Sequence, residues 1–105
     1  KNIVPLLADA RKPEKYKWVE EVDILYTDIA QPEETLIAIR NAKEFLKEGG
    51  LLFIAVKSQS IDVTKKPEDV YEEEKNKLEK AGFSILQLIN LEPFEAKHAM
   101  IIAKK

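Results

Sequence analysis

This chain of 105 residues has no cysteine, a single histidine and only three glycines. Without cysteine there is no disulfide frame, no thiol nucleophile and no thiolate metal site. His98 alone makes no ligand cluster, so no metal is expected. Gly49, Gly50 and Gly82 all fall where helices are expected to stop, which leaves no glycine-rich phosphate or nucleotide loop. No apolar run approaches the length of a membrane span and no secretion signal is visible. No membrane is therefore expected as a partner. A strong charge of either sign is also missing: the formal net charge is -2. Contact with nucleic acid would need a local lysine patch or a partner that supplies positive surface.

What is present suits a folded domain, or a piece of one. Hydrophobic residues make up 45% of the chain, enough for a core. Charged residues reach 34%, with lysine far outnumbering the two arginines, Arg11 and Arg40, a composition that leans towards a thermophile. Three apolar runs each end on a polar side chain. Asn2 to Leu7 leads into Asp9-Ala10-Arg11, Val22 to Tyr26 into Thr27-Asp28, and Leu51 to Val56 into Lys57-Ser58. In an open parallel sheet the carboxyl ends of the strands form the ligand crevice. That rule brings Asp9, Asp28 and Lys57 to one site and points to an enzyme.

Between the runs, the pattern alternates with helix. Residues 2–7 read as a buried strand with an irregularity at Pro5, and 13–19 as a short helix or turn. The clearest helix spans 32–48. Pro32 suits its first turn, Glu33 and Glu34 favour its positive end, and Gly49 is expected to stop it. Its expected buried stripe is Leu36, Ile39, Ala42, Phe45 and Leu46. Residues 51–56 read as a central strand covered on both faces, 58–66 as a polar loop, and 67–81 as a second long helix closed by Gly82. On that helix Val70, Tyr71, Leu78 and Ala81 are expected to face the core. The last two strands, 83–91 and 99–103, are joined too closely for a crossover and must pair antiparallel. The class is α/β: parallel strands with an antiparallel last strand and helices on both faces of the sheet.

A final antiparallel pair without an intervening helix marks the S-adenosylmethionine-dependent methyltransferase sheet, a Rossmann-like fold. Four segments sharpen the likeness: Asp9-Ala10-Arg11, Asp28-Ile29-Ala30-Gln31-Pro32, Lys57-Ser58-Gln59-Ser60-Ile61-Asp62-Val63-Thr64, and Pro93-Phe94 followed by His98-Ala99-Met100-Ile101. In this order and at these separations, the chain closely resembles the archaeal fibrillarin family. These are the rRNA and tRNA 2′-O-methyltransferases of box C/D ribonucleoproteins. The resemblance covers essentially all 105 residues. It implies the C-terminal part of a methyltransferase domain, a partial sheet without the N-terminal domain, the glycine-rich cofactor loop or one catalytic lysine of the family. The implied cofactor is S-adenosylmethionine. The implied partners are a guide RNA, target rRNA or tRNA, a Nop-domain scaffold protein and a kink-turn-binding ribosomal-type protein, in an archaeal cytoplasm. In the implied strand order two further strands separate 2–7 from 22–26, so the 22–26 edge is open to self-association.

The resemblance also implies roles. Asp9, Ala10, Asp28, Ile29, Ala30 and Gln31 would lie along the cofactor, and Asp28, Lys57 and His98 would be catalytic. Each has a plainer alternative. Asp9 could cap a turn, Asp28 could cap a helix, and Lys57 could extend its ammonium to solvent. A lone histidine is more often structural. Lys65, Lys66 and Lys97 could meet RNA phosphates or simply be solvated. Tyr16, Trp18 and Tyr26 are expected to pack in the core, though each could stack on a base. A non-catalytic α/β interaction module of methyltransferase ancestry is the alternative to the enzyme.

The missing glycine loop makes one prediction. The 105-residue chain alone should bind S-adenosylmethionine very weakly and transfer no methyl group. Calorimetric titration checks it, and micromolar affinity would contradict it.

Overall fold

A computed structural model describes residues 21–28, 32–91 and 97–105. The strand expected over 2–7 and the helix or turn over 13–19 lie outside the described residues. The described chain folds in the order β1 (Val22–Thr27), α1 (Glu34–Phe45), β2 (Leu46–Lys57), α2 (Ser58–Ile61), α3 (Pro67–Lys80), β3 (Ser84–Asn90) and β4 (His98–Lys104). The described strands form one sheet in the order β1-β2-β4-β3. β1 and β2 are parallel, while β4 runs antiparallel to both β2 and β3. The reversed last strand expected from the sequence is therefore β4, placed between β2 and β3.

Alternation along β2 and β4 separates the two faces. Leu52, Ile54 and Val56 of β2 and Ala99, Ile101 and Ala103 of β4 are fully buried. They pack with Ala38, Ile39 and Ala42 of α1 and Val70, Tyr71 and Leu78 of α3 in one core. Leu51, Phe53 and Ala55 point the other way and are only half-buried. Full cover on both faces was expected for this strand. Both long described helices sit on the face that holds Leu52, Ile54 and Val56, and that is why the two sets differ.

Helix α1 is shorter than the 32–48 expected, and its end has a different cause. The chain turns extended at Leu46, not at Gly49. The Lys105 ammonium donates to the carbonyls of Ala42 at 3.0 Å and Lys43 at 3.3 Å, and also to that of Leu46. A cation there satisfies carbonyls that the helix leaves open and complements the negative end of its dipole. The buried arc also differs from the expected stripe. Ile37, Ala38 and Asn41 join it, whereas Leu36 is 51% exposed. Leu36 is two residues from Ala38, roughly 200° round the helix, so the two cannot share a face.

Gly49 instead serves the entry to β2, with φ of +79°. Between the pairs Val22↔Leu46 and Ile24↔Leu51, β1 advances two residues while β2 advances five. The slack is held by Lys105, whose N–H donates to Gly50 and whose carbonyl accepts from Gly49, both at 3.0 Å. Residues 58–61 form a single helical turn where a polar loop was expected. It is closed by the Asp62 N–H on the Ser58 carbonyl at 2.9 Å. Helix α3 follows its sequence signals: Pro67 opens it, Glu68 and Asp69 occupy its first turn, and Lys77 and Lys80 its last. Gly82, at φ of +96°, releases the chain into β3.

Gly50 has no room for a side chain. A Cβ there would lie 2.8 Å from the Lys47 carbonyl oxygen and 2.9 Å from that of Asp23, neither of which is a flexible side-chain atom. Gly50→Ala should therefore destabilise the fold by about 1–3 kcal/mol. Urea denaturation measures it, and an unchanged midpoint would show that the β1–β2 entry can open.

Candidate active site

The site is built by three strand ends. Asp28 is the first residue past β1, Lys57 is the last residue of β2, and His98 is the first of β4. Because β4 runs against β2, its start meets the end of β2, and the ladder pairs Lys57 directly with His98. Period-two alternation then places Tyr26 and Asp28, Ala55 and Lys57, and His98 and Met100 on the sheet face opposite the helices. Together with Leu91 they line a cleft of about 330 Å³.

Within it the Lys57 ammonium lies 3.2 Å from a carboxylate oxygen of Asp28. The two side chains are 38% and 42% exposed, so this is a solvated ion pair and not a buried one. His98 is half-buried beside it. A paired carboxylate and ammonium beside an imidazole can hold a hydroxyl group, orient it and exchange its proton.

Of the residues singled out in the sequence, the structure unites Asp28, Lys57 and His98. Asp9, Ala10, Ile29, Ala30 and Gln31 lie outside the described residues. Tyr26 corrects an expectation: it is 51% exposed and lines the cleft instead of packing in the core. Its position two residues before Asp28 carried the signal, since residues i and i+2 of a strand share a face. Lys65 is engaged locally, 2.6 Å from Glu73 and 3.9 Å from Asp62. The hydrogen bond to Glu73 raises its pKa above the usual lysine value. Asp62 is held below the usual carboxylate range by the Thr64 hydroxyl, which donates at 2.5 Å, and by the Thr64 N–H at 2.9 Å. The segment just past the site is thus tied to itself and to α3. Among the described residues no group of three or more side chains is placed to hold a metal ion, and no helix is long and apolar enough to cross a membrane.

All of residues 1–105 match the sequence profile of the family described as Fibrillarin. The chain belongs to the fibrillarin family. It is 56% identical over 104 residues to a fibrillarin-like rRNA/tRNA 2′-O-methyltransferase of Sulfurisphaera tokodaii, covering 98% of this chain and 45% of that protein. Two solved structures superpose on it. Fibrillarin in a fibrillarin/Nop5p complex matches with a TM-score of 0.90 and 44% identity, over 99% of this chain and 50% of that one. Aeropyrum pernix fibrillarin, with natively bound S-adenosyl-L-methionine, matches with a TM-score of 0.80 and 50% identity, over 97% and 45%. The chain thus spans about half the length of the relatives it matches, and its mixed α/β sheet is theirs.

The exposure of the Lys57–Asp28 pair makes a prediction about stability. A pair this solvated contributes about 1 kcal/mol or less. Lys57→Met should therefore shift the denaturation midpoint only slightly. A loss beyond about 2 kcal/mol would mean that Lys57 is retained for the fold.

Proposed function

We propose that these residues are the acceptor side of an S-adenosylmethionine-dependent RNA ribose 2′-O-methyltransferase, acting on rRNA or tRNA within the longer polypeptide typical of the family. The single observation that carries this is the 3.2 Å approach of Lys57 to Asp28 in the cleft where the ladder also delivers His98. The relatives' names and the cofactor bound to the Aeropyrum pernix protein support it.

The described residues fit such a cofactor in one respect: Asp28 presents a half-exposed carboxylate at the carboxyl end of β1, in a cleft open enough for a ligand. When bound, S-adenosylmethionine supplies a methyl group activated by its sulfonium. Asp28 favours positive charge nearby and keeps the Lys57 ammonium from swinging into solvent. Lys57 hydrogen-bonds the ribose 2′-hydroxyl and, in its neutral form, takes the hydroxyl proton at Nζ as the oxygen is methylated. His98 offers a second hydrogen-bonding group on the substrate side. Asp9, Ala10, Ile29, Ala30 and Gln31 are proposed as further cofactor contacts.

Target choice is assigned to partners: a guide RNA, a Nop-domain scaffold and a kink-turn-binding protein, in an archaeal cytoplasm. The Nop5p complex of a relative supports the scaffold, and the net charge of -2 agrees with RNA being held largely by others. The rival reading is a non-catalytic interaction module of the same ancestry.

The two readings separate in the full-length protein assembled with its guide RNA and partners. Lys57→Ala should lower turnover about 100-fold or more with little change in cofactor affinity. Asp9→Ala should do the reverse, weakening cofactor binding first. Methylation by Lys57→Ala at the normal rate would remove the lysine from the mechanism.

A further inference from the structure

The β2–β4 ladder ends at the Lys57↔His98 pair, but the contact between the two segments continues past it. One step further, Ser58 turns two donors onto a single acceptor. Its N–H donates to the Lys97 carbonyl at 3.0 Å, and its hydroxyl donates to the same oxygen at 3.1 Å. A carbonyl has two lone pairs, so both bonds can form at once. Ser58 is 2% exposed, which keeps water from competing for the contact.

The acceptor residue is itself unusual. Lys97 has φ of 62°, in the left-handed region that side-chain-bearing residues seldom occupy. Such a conformation persists only where its surroundings hold it. It is also the turn by which the chain enters β4, one residue before His98. The far side of His98 is tied as well, because its carbonyl accepts from the Leu91 N–H at 3.0 Å. The residue after Lys57 is therefore fastened to the residue before His98 at a doubly bonded point.

Resting on the proposed reading of Lys57 and His98 as substrate-facing groups, we propose that Ser58 is a positioning residue for methyl transfer. Its hydroxyl, together with its N–H, clamps the Lys97 carbonyl and so sets the separation of the Lys57 ammonium and the His98 imidazole across the cleft. Ser58 touches neither cofactor nor substrate in this role. Its effect passes through the left-handed turn at Lys97. In Ser58→Ala the N–H bond remains, so the ladder survives while half of the clamp is lost.

The test uses Ser58→Ala and Ser58→Thr in the full-length protein, assembled with guide RNA and partners, with two readouts. The first is kinetic. Misplacement of reacting groups by a fraction of an ångström is expected to lower kcat about 10-fold in Ser58→Ala while KM for the cofactor stays within about twofold. Ser58→Thr, which keeps the hydroxyl, should recover most of the rate. The second is the NMR signal of the His98 ring, assigned by its loss in His98→Gln, which should move in Ser58→Ala and return in Ser58→Thr. A normal kcat with an unmoved His98 signal in Ser58→Ala overturns the proposal. So does a loss in which KM, cofactor affinity and melting temperature all worsen together, because that is a fold defect. The NMR readout does not depend on methyl transfer. A displaced His98 signal alongside full turnover by Lys57→Ala would leave the clamp standing and overturn the catalytic reading instead.

Discussion

The register of β2 against β4 governs both ends of this molecule. The ladder runs without interruption from Leu51↔Lys104 to Lys57↔His98. At one end it sets His98 beside Lys57. At the other it carries Lys105 to the close of α1 and to the irregular entry of β2. A slip of one residue would exchange the faces of every side chain in β4. Ala99, Ile101 and Ala103 would leave the core, and His98 would leave the cleft. The register that buries Ala99, Ile101 and Ala103 is therefore also what aligns the candidate active site.

Stability and chemistry occupy opposite faces of the same strands. The helix-covered face is closed, with Leu52, Ile54, Val56, Ala99 and Ile101 fully buried. Burial on that scale supplies most of the driving force for folding. The other face carries the cleft, where the Lys57–Asp28 pair stays wetted and adds little to stability. At this level of exposure the pair carries no large desolvation cost. It remains open to a substrate hydroxyl, as the proposed methyl transfer requires.

Charge inside the helical layer follows a different logic. Glu74 stands in the acidic run Glu72-Glu73-Glu74 of α3, yet it is fully buried, with one carboxylate oxygen 2.9 Å from the Lys77 ammonium. It lies four residues after Val70 and four before Leu78, and helical periodicity places it on their face. The neighbouring Glu72 and Glu73 are exposed, so position on the helix and not residue type decides burial here.

Much of the fold was legible because its signals are local. Apolar runs marked β1 and β2, Gly82 marked the end of α3, and the short connection required β3 and β4 to be antiparallel. The collinear segments around Asp28, Lys57 and His98 located the candidate site and the family. What stayed hidden depends on contacts distant in sequence. Helix α1 ends where Lys105 reaches it, a contact across 63 residues. The Ser58 clamp spans 39. Tyr26 faces the cleft because both long described helices lie on the other side of the sheet. Composition, strand pattern and strand-end chemistry were determined by the sequence alone, since each depends on neighbours along the chain. Which lysine caps a helix, which aromatic meets solvent and which serine aligns the site were decided by tertiary structure, because only the β2–β4 register brings those atoms together.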